Sequence, residues 1–318
     1  LGRILLAALA SSSIAVVTAC PALADAPIHL EVGTMPGDAS AEVFYAQERG
    51  FFKDEGLDVH ITVFTNVSAQ AAAVSGGSIV VGNGGVGSIA VAREHGILER
   101  VIAPASVYRP AALTARLMVG NHSTIRSAAD LNGKTIATNG LQDQAQLESE
   151  LWLEKHGADL RSIHFVEVPF PQMAGALERG QVAAALMVEP LITAAGDRVR
   201  MLGDAMGAIA PDFVSTGWFA SDAWVQANPD VAARFVRAIL RTARWANGHH
   251  AETAQILVRS AKLDPEIASK MTRSTYGTTL TPELLQPVLD MFAHFGTLPK
   301  PMPAGEVIWA GSPAVARR

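Results

Sequence analysis

The stretch FYAQERGFFKDEGLDVHITVF, residues 44–64, holds two short helical segments, each stopped by a glycine, and then an apolar strand. Gly50 and Gly56 fit those stops because a chain leaving a helix often turns through the left-handed region, which glycine enters without steric cost. Upstream, residues 28–33 place Ile28, Leu30 and Val32 on one face, the alternation of a strand. Asp38 or Ser40 can cap the helix that follows and carries Ala39, Val43 and Ala46 along one side. Strand, helix, a stutter at Phe51-Phe52, one turn at 53–55 and a strand over 57–64 make a βαβ crossover, the unit of mainly parallel sheets.

The alternation continues along the chain. Helices are expected at 68–75, 88–95, 125–131, 144–156, 171–179, 229–247 and 281–296, and most end at a glycine or open on a proline. Strands are expected at 79–81, 100–103, within LTARLMVG (113–120), within DLNGKTIATNG (130–140), at 163–168, at 182–188 and near 214–219. Residues 182–188 are apolar on both faces, as a strand covered by helices on two sides must be. The fold class is α/β with two lobes and a hinge between them. Lobe one is discontinuous, 27–108 plus 212–318, and lobe two is 109–211.

With 318 residues, 49% hydrophobic and 17% charged, the chain can bury two cores. A net charge of −5 and the lack of a dense basic run exclude a nucleic-acid groove. Arg3, an apolar run over 4–17 and small residues around Ala22-Leu23-Ala24 have the layout of an export signal, so residues 1–24 read as a leader cut after Ala24. Cys20, the single cysteine, rules out an intrachain disulfide or a cysteine metal cluster; lipid anchoring through it is the alternative to its removal with the leader. Numbering opens on Leu1, and further residues are expected upstream. The mature protein is expected in the periplasm.

In α/β sheets ligands sit beyond the carboxyl ends of the strands, where loops feed helix N-termini. Five loops qualify: GTMPGDAS (33–40), GNGGVGS (82–88), TNGLQD (138–143), PFPQ (169–172) and VEP (188–190). They offer amides and backbone N–H groups rather than reacting groups. Gly82-Asn83-Gly84-Gly85-Val86-Gly87 matches the dinucleotide pattern G-x-G-x-x-G, yet 102–108 brings no acid for a ribose. An anion or amide nest and a plain tight turn are the other two readings of it. No G-x-S-x-G and no H-E-x-x-H occurs, and the adjacent His249-His250 is poorly disposed for one metal ion. Glu189 could accept from a ligand, pair with an arginine or cap the helix after Pro190. Phe170 and Trp218 could stack on a solute or belong to the core, the core being the better account of Trp218.

FYAQERGFFKDEGLDV, DLNGKTIAT, VPFPQMAGALERGQVAAALMVEPLITAA (168–195) and NPDVAARFVRAI resemble, in order and over essentially the whole mature chain, the solute-binding proteins of ABC importers in the nitrate/sulfonate/taurine/thiamine-precursor group. That resemblance implies a two-lobed periplasmic binding protein of type II that closes on a small molecule. Its partners would be the ligand and an inner-membrane ABC permease with its ATPase, the receptor acting as a monomer. It departs from the group at Val80 and Ala183, where an acid is frequent, and both positions lie at strand starts or edges. A fungal enzyme of the same fold uses a cysteine-rich motif that this chain lacks, so no catalytic residue, metal or cofactor is expected. The expected ligand contacts are Asp38, Asn83 and Gly84 on lobe one, Asn139, Gln142, Phe170 and Glu189 on lobe two, and Tyr108 where the chain crosses. Two further functions stay open: a nucleotide-dependent enzyme using residues 82–87, and a sensory receptor without transport. Few cations lie in the five loops, which disfavours a strongly anionic solute, while Arg109 and Arg116 leave that open.

Overall fold

The computed structural model describes residues 26–35, 37–64 and 67–315; the leader and Cys20 lie outside them. Strand β1 (Ile28–Thr34), helices α1 (Glu42–Glu48) and α2 (Phe51–Asp54) and strand β2 (Leu57–Val63) form the crossover read from the sequence, with β1 and β2 parallel from Ile28↔Leu57 to Thr34↔Val63. Gly50 joins α1 to α2 at φ 73°, in the left-handed region that favours glycine. The stutter has a packing cause. Phe51 and Phe52 are buried, and Phe52 stacks on Phe235 at 5.6 Å.

After α3 (Val67–Ser75) come β3 (Gly82–Gly85), α4 (Val86–Glu94), β4 (Glu99–Pro104) and β5 (Ser106–Tyr108). The chain then builds a separate five-stranded sheet from β6 (Ala115–Gly120), β7 (Thr135–Thr138), β8 (His164–Glu167), β9 (Ala184–Val188) and β10 (Val199–Gly203), in the order β10-β6-β9-β7-β8. Helix α5 (Gln144–Lys155) covers one face, where Leu117, Ile136 and Leu186 meet Trp152 and Leu153. Helices α6 (Phe170–Glu178) and α7 (Leu191–Ala195) cover the other, where Met118, Ala185 and Met187 meet Met173 and Leu177. Consecutive strand residues alternate between these two cores, the period of two that a pleated strand imposes.

The return passes through β11 (Phe213–Val214) and β12 (Thr216–Ser221) into α8 (Asp222–Ala227) and α9 (Pro229–Ala246). Helices α10 (His250–Ser260) and α11 (Pro265–Lys270), strand β13 (Thr275–Tyr276) and α12 (Pro282–His294) complete the described chain. In the first lobe β3-β12-β4 form one sheet and β11-β5-β13 another.

The molecule is therefore α/β and two-lobed, with one detail corrected: the sheets are mixed rather than mainly parallel. Strand β12 enters antiparallel between β3 and β4, and β6 runs antiparallel to both its neighbours. The expected strand at 79–81 is also displaced. Val81 only touches β1 by a bridge to Val32, and the ladder begins at Gly82.

Candidate functional site

The carboxyl ends of β1, β7 and β9 and the β3–α4 junction carry the polar groups that meet between the two lobes. At the first-lobe rim Thr34 donates to the Ser40 carbonyl at 2.7 Å, and Ser40 donates from Oγ to Asn83 Oδ1 at 2.6 Å. Asn83 is 1% exposed, and its Nδ2 has no partner. Gln70 reaches the same rim, giving Nε2 to the Gly33 carbonyl at 3.3 Å and leaving Oε1 unpaired. A buried amide group without a hydrogen bond is costly, so such groups mark where another partner fits.

The second-lobe rim answers it. Asn139 follows β7 with its Oδ1 unpaired, and Gln144 opens α5. Gln144 spans the gap: Nε2 donates to Ser215 Oγ at 3.1 Å, while Oε1 is left without a partner. Glu189, at the end of β9, accepts at Oε2 from the Thr193 backbone N–H (3.1 Å) and hydroxyl (2.8 Å), capping α7. Its Oε1 lies 3.7 Å from Arg116 Nη2, and Arg116 donates across the gap to Thr272 Oγ1 at 2.8 Å. The Glu189 carbonyl faces Gly37, where a Cβ would stand 3.6 Å away. The cleft is thus pinned at two places, one around Gln144 and Ser215, the other around Glu189, Gly37, Arg116 and Thr272.

Three further carboxyls are shaped by burial. Burial drives Glu42 well above the usual carboxylate range, although Trp218 Nε1 donates to it at 2.7 Å. Asp143, the α5 cap that accepts from Gln146 N–H at 3.0 Å, is pushed up to about 6 by burial, opposed by those backbone N–H bonds. Glu148 behind it is raised by burial and by the charges of Asp143 and Asp204.

The expected contacts divide. Asn83, Asn139 and Glu189 stand at the cleft. Gly84 pairs with Gly217 in the β3–β12 ladder, with the Phe219 ring beside it. Gln142 is exposed at φ 57°, donating its N–H to Gln146 Oε1. Phe170 is half-buried on the α6 core, and Trp218 is fully buried beside Phe235. Tyr108 lies where the chain passes toward the five-stranded sheet: β5 and β11 pair at Tyr108↔Phe213, the rings stack at 5.2 Å, and the hydroxyl donates to Asp204 at 2.5 Å. Arg109 pairs with Asp212 at the same crossing, 3.7 Å apart.

Asp38 is held in a buried network within the first lobe. It is 1% exposed and accepts from Ser274 N–H (2.6 Å), Arg273 Nη2 (2.8 Å), Tyr45 hydroxyl (3.0 Å) and Arg273 Nε (3.2 Å). Burial alone would lower the Arg273 pKa; the hydrogen bonds and charge of Asp38 outweigh it and hold the guanidinium more basic than usual.

The glycine-rich run 82–87 is also reassigned. Gly82–Gly85 is a strand, and a Cβ at Gly82 would come within 2.6 Å of the Phe219 ring. A side chain at Gly87 would overlap Phe292. Gly82 and Gly87 serve close packing of β3 on β12 and of α4 on α12, and Gly85 faces Gln144. Sequence reading missed Gln70, Gln144 as a bridge, Ser215 and Thr272. Ser215 and Thr272 carry no local signal, since long-range folding alone brings them to the cleft.

Two surface hollows lie away from the unpaired rim amides, the second bordered by Arg273. One of about 140 Å³ sits beside Arg109, Asp212 and Tyr276, and one of about 410 Å³ lies between α10 and α11. Among the described residues no helix is long and apolar enough to cross a membrane, and no cluster of three or more His, Cys, Asp or Glu is arranged to hold a metal ion.

Comparison with known proteins agrees with this geometry. The family model described as NMT1/THI5 like matches residues 39–253. YtlA of Bacillus subtilis (strain 168), whose name assigns it binding and no more, is 26% identical over 289 residues, covering 84% of this chain and 83% of its own. The formylaminopyrimidine-binding protein of Halalkalibacterium halodurans is 23% identical over 228 residues, 70% of this chain and 67% of its own. Among solved structures, the alkanesulfonate-binding protein SsuA of Xanthomonas axonopodis pv. citri, bound to MOPS, superposes with a TM-score of 0.72 at 19% identity, covering 90% of this chain and 99% of that one. The periplasmic nitrate-binding protein NrtA of Synechocystis PCC 6803 gives 0.74 at 14% identity, covering 90% and 92%.

Proposed function

Because the chain belongs to the NMT1/THI5 like family, we propose that it is the solute-capturing component of an ABC-type importer, exported to the periplasm and delivering its ligand to a membrane permease. The family and its structural neighbours support a solute-binding role in ABC-type import. One observation carries the proposal: unpaired buried amide atoms of Asn83 on one lobe and Gln144 on the other, beside a direct bridge from Gln144 to Ser215. A solute between the lobes would satisfy those atoms in the closed form only, and that differential affinity is what drives closure. The hinge would be the paired strands β5 and β11, and the lobes would divide at Tyr108 and Asp212. No chemical step is assigned to the cleft; the receptor works as a monomer and hands on an unchanged molecule.

The test is recovery of the ligand. Purified protein is denatured, the released small molecule is identified by mass spectrometry, and it is added back while small-angle scattering is recorded. The expected result is an unmodified solute that reduces the radius of gyration. Turnover of the added solute, or curves unchanged at saturation, would refute the proposal.

A further inference from the structure

Resting on that receptor function, we propose that closure of the cleft is linked to a proton on Glu148. The closed form takes the proton up, and alkaline pH favours the open form. The geometry that carries this is a seam along one face of α5, where a helix of the second lobe lies against the first.

Residues three and four apart on a helix share a face. On α5, Gln144, Leu147, Glu148 and Leu151 have that spacing, and Glu154 follows three positions on. Gln144 Nε2 donates to Ser215 Oγ, and a Cβ at Gly85 would stand 3.0 Å from its Oε1. Leu147 is buried in the core that holds Phe213, Trp218 and Phe292 of the first lobe, and Leu151 packs against the same core. At the outer end Glu154 pairs with His294 of α12 at 2.7 Å. Trp152 and Leu153, on the other side of the helix, belong to the second-lobe core.

Glu148 sits within this seam and is 4% exposed. The charges that act on it are both carboxylates, Asp143 at the cap of α5 and Asp204 after β10. Asp204 is tied in turn to the first lobe, since Tyr108 of β5 gives it a hydroxyl at 2.5 Å, and it also takes the Gly207 N–H at 3.0 Å. Elsewhere on α5, Glu150 accepts from Gln146 Nε2 at 2.7 Å, and Lys155 gives Nζ to the Ala208 carbonyl at 2.5 Å. Gln144, one turn before Glu148, favours its charged form, but burial and then the two carboxylates outweigh it and hold the carboxyl well above the usual range. Opening lifts the first lobe from this face and lets water reach the group. A carboxyl neutral when covered and charged when wet makes closure strongest in acid, weakening as pH rises beyond the ordinary value of 4.5.

Two neighbours on the seam can also take up protons: Asp143, pushed up to about 6 by burial, and His294 against Glu154. The experiment removes both. Asp143→Asn keeps a cap for α5 and His294→Gln keeps a donor for Glu154, and these form the background together with Cys20→Ser. Closure is read without solute, in refolded protein, by single-molecule energy transfer between dyes on Lys53→Cys and Arg161→Cys, exposed positions on opposite lobes. The closed-to-open ratio should fall by about tenfold or more from pH 5 to pH 8, and no faster than about tenfold per pH unit. Adding Glu148→Gln should level that profile; Glu148→Met, apolar and suited to a covered position, serves should the first variant not fold. A level profile in the background, or a fall that survives substitution of Glu148, overturns the proposal. Turnover of a solute would remove the receptor function and leave the proton linkage standing; a level profile beside a solute that compacts the protein would do the reverse.

Discussion

Replacing Asp38 with asparagine asks whether that carboxylate holds the fold or meets the solute. The group lies at the centre of a buried network, with Arg273 giving it two hydrogen bonds at 2.8 and 3.2 Å and Ser274 and Tyr45 one each. The Arg273 side chain is only 8% exposed, so water cannot replace the lost partner. Asparagine keeps the volume, removes the charge and turns one acceptor into a donor that faces donors. Breaking one side of a buried pair costs about 3–5 kcal/mol. Arg273 keeps its bonds to the His250 carbonyl and the Tyr45 hydroxyl, which places the loss near the lower figure, about 3 kcal/mol. For a chain of this size about 2 °C accompanies each kcal/mol, so calorimetry should show Tm falling by about 6 °C. Arg273→Met alone should cost similarly, and the double variant should lose less than the two single losses added, by about 1–3 kcal/mol. A Tm within about 1 °C of the parent, together with lost solute binding, would refute the structural role and make Asp38 a ligand contact.

Closure, helix packing and a buried carboxyl can each be probed separately. An added Cβ at Gly85 would stand 3.7 Å from the Gln144 Cβ, within the usual span of a disulfide, so oxidised Gly85→Cys/Gln144→Cys in a Cys20→Ser background should lock the lobes. Its scattering curve should stop responding to solute and recover on reduction; a curve that still responds when oxidised would remove Gln144 from the closure contact. Gly87→Ala should lower stability by about 1–3 kcal/mol, because the new methyl overlaps Phe292, and an unchanged Tm would count against the α4–α12 packing. Burial pushes Glu99 up to about 7, so the folded state keeps a proton that the unfolded chain releases near 4.5. Stability should then decline as pH rises from about 4.5 through about 7, and Glu99→Gln should shrink the Tm difference between pH 5 and pH 8; an equal difference would show the carboxyl to be solvated.

The opening crossover was legible because its signals are local. Two glycines at left-handed turns and a strand with alternating apolar residues give the order β1-α1-α2-β2, although α1 starts at Glu42 without the expected side-chain cap from Asp38 or Ser40 and the second turn is Phe51–Asp54 rather than 53–55. Cleft residues were legible where they end a predicted strand, as with Asn139 and Glu189. The same rule named Asp38, whose neighbours Arg273 and Ser274 lie some 235 positions away and absorb its charge. It also read a phosphate-like loop in Gly82–Gly87, where the determining partners are the rings of Phe219 and Phe292.

By itself, then, the sequence determined the α/β class, the opening crossover and much of the strand–helix alternation. These follow from periodicity, turn chemistry and composition, which act over a few residues. The helix expected at 125–131 shrank to a single turn at Ala129–Leu131, and α10 and α11 went unread. Tertiary structure alone decided which strands run antiparallel, which polar atoms of the rims stay unpaired and which carboxylates fill the helix N-termini. Burial and hydrogen bonding are properties of neighbours in space, and the chain brings those neighbours from both ends of its length.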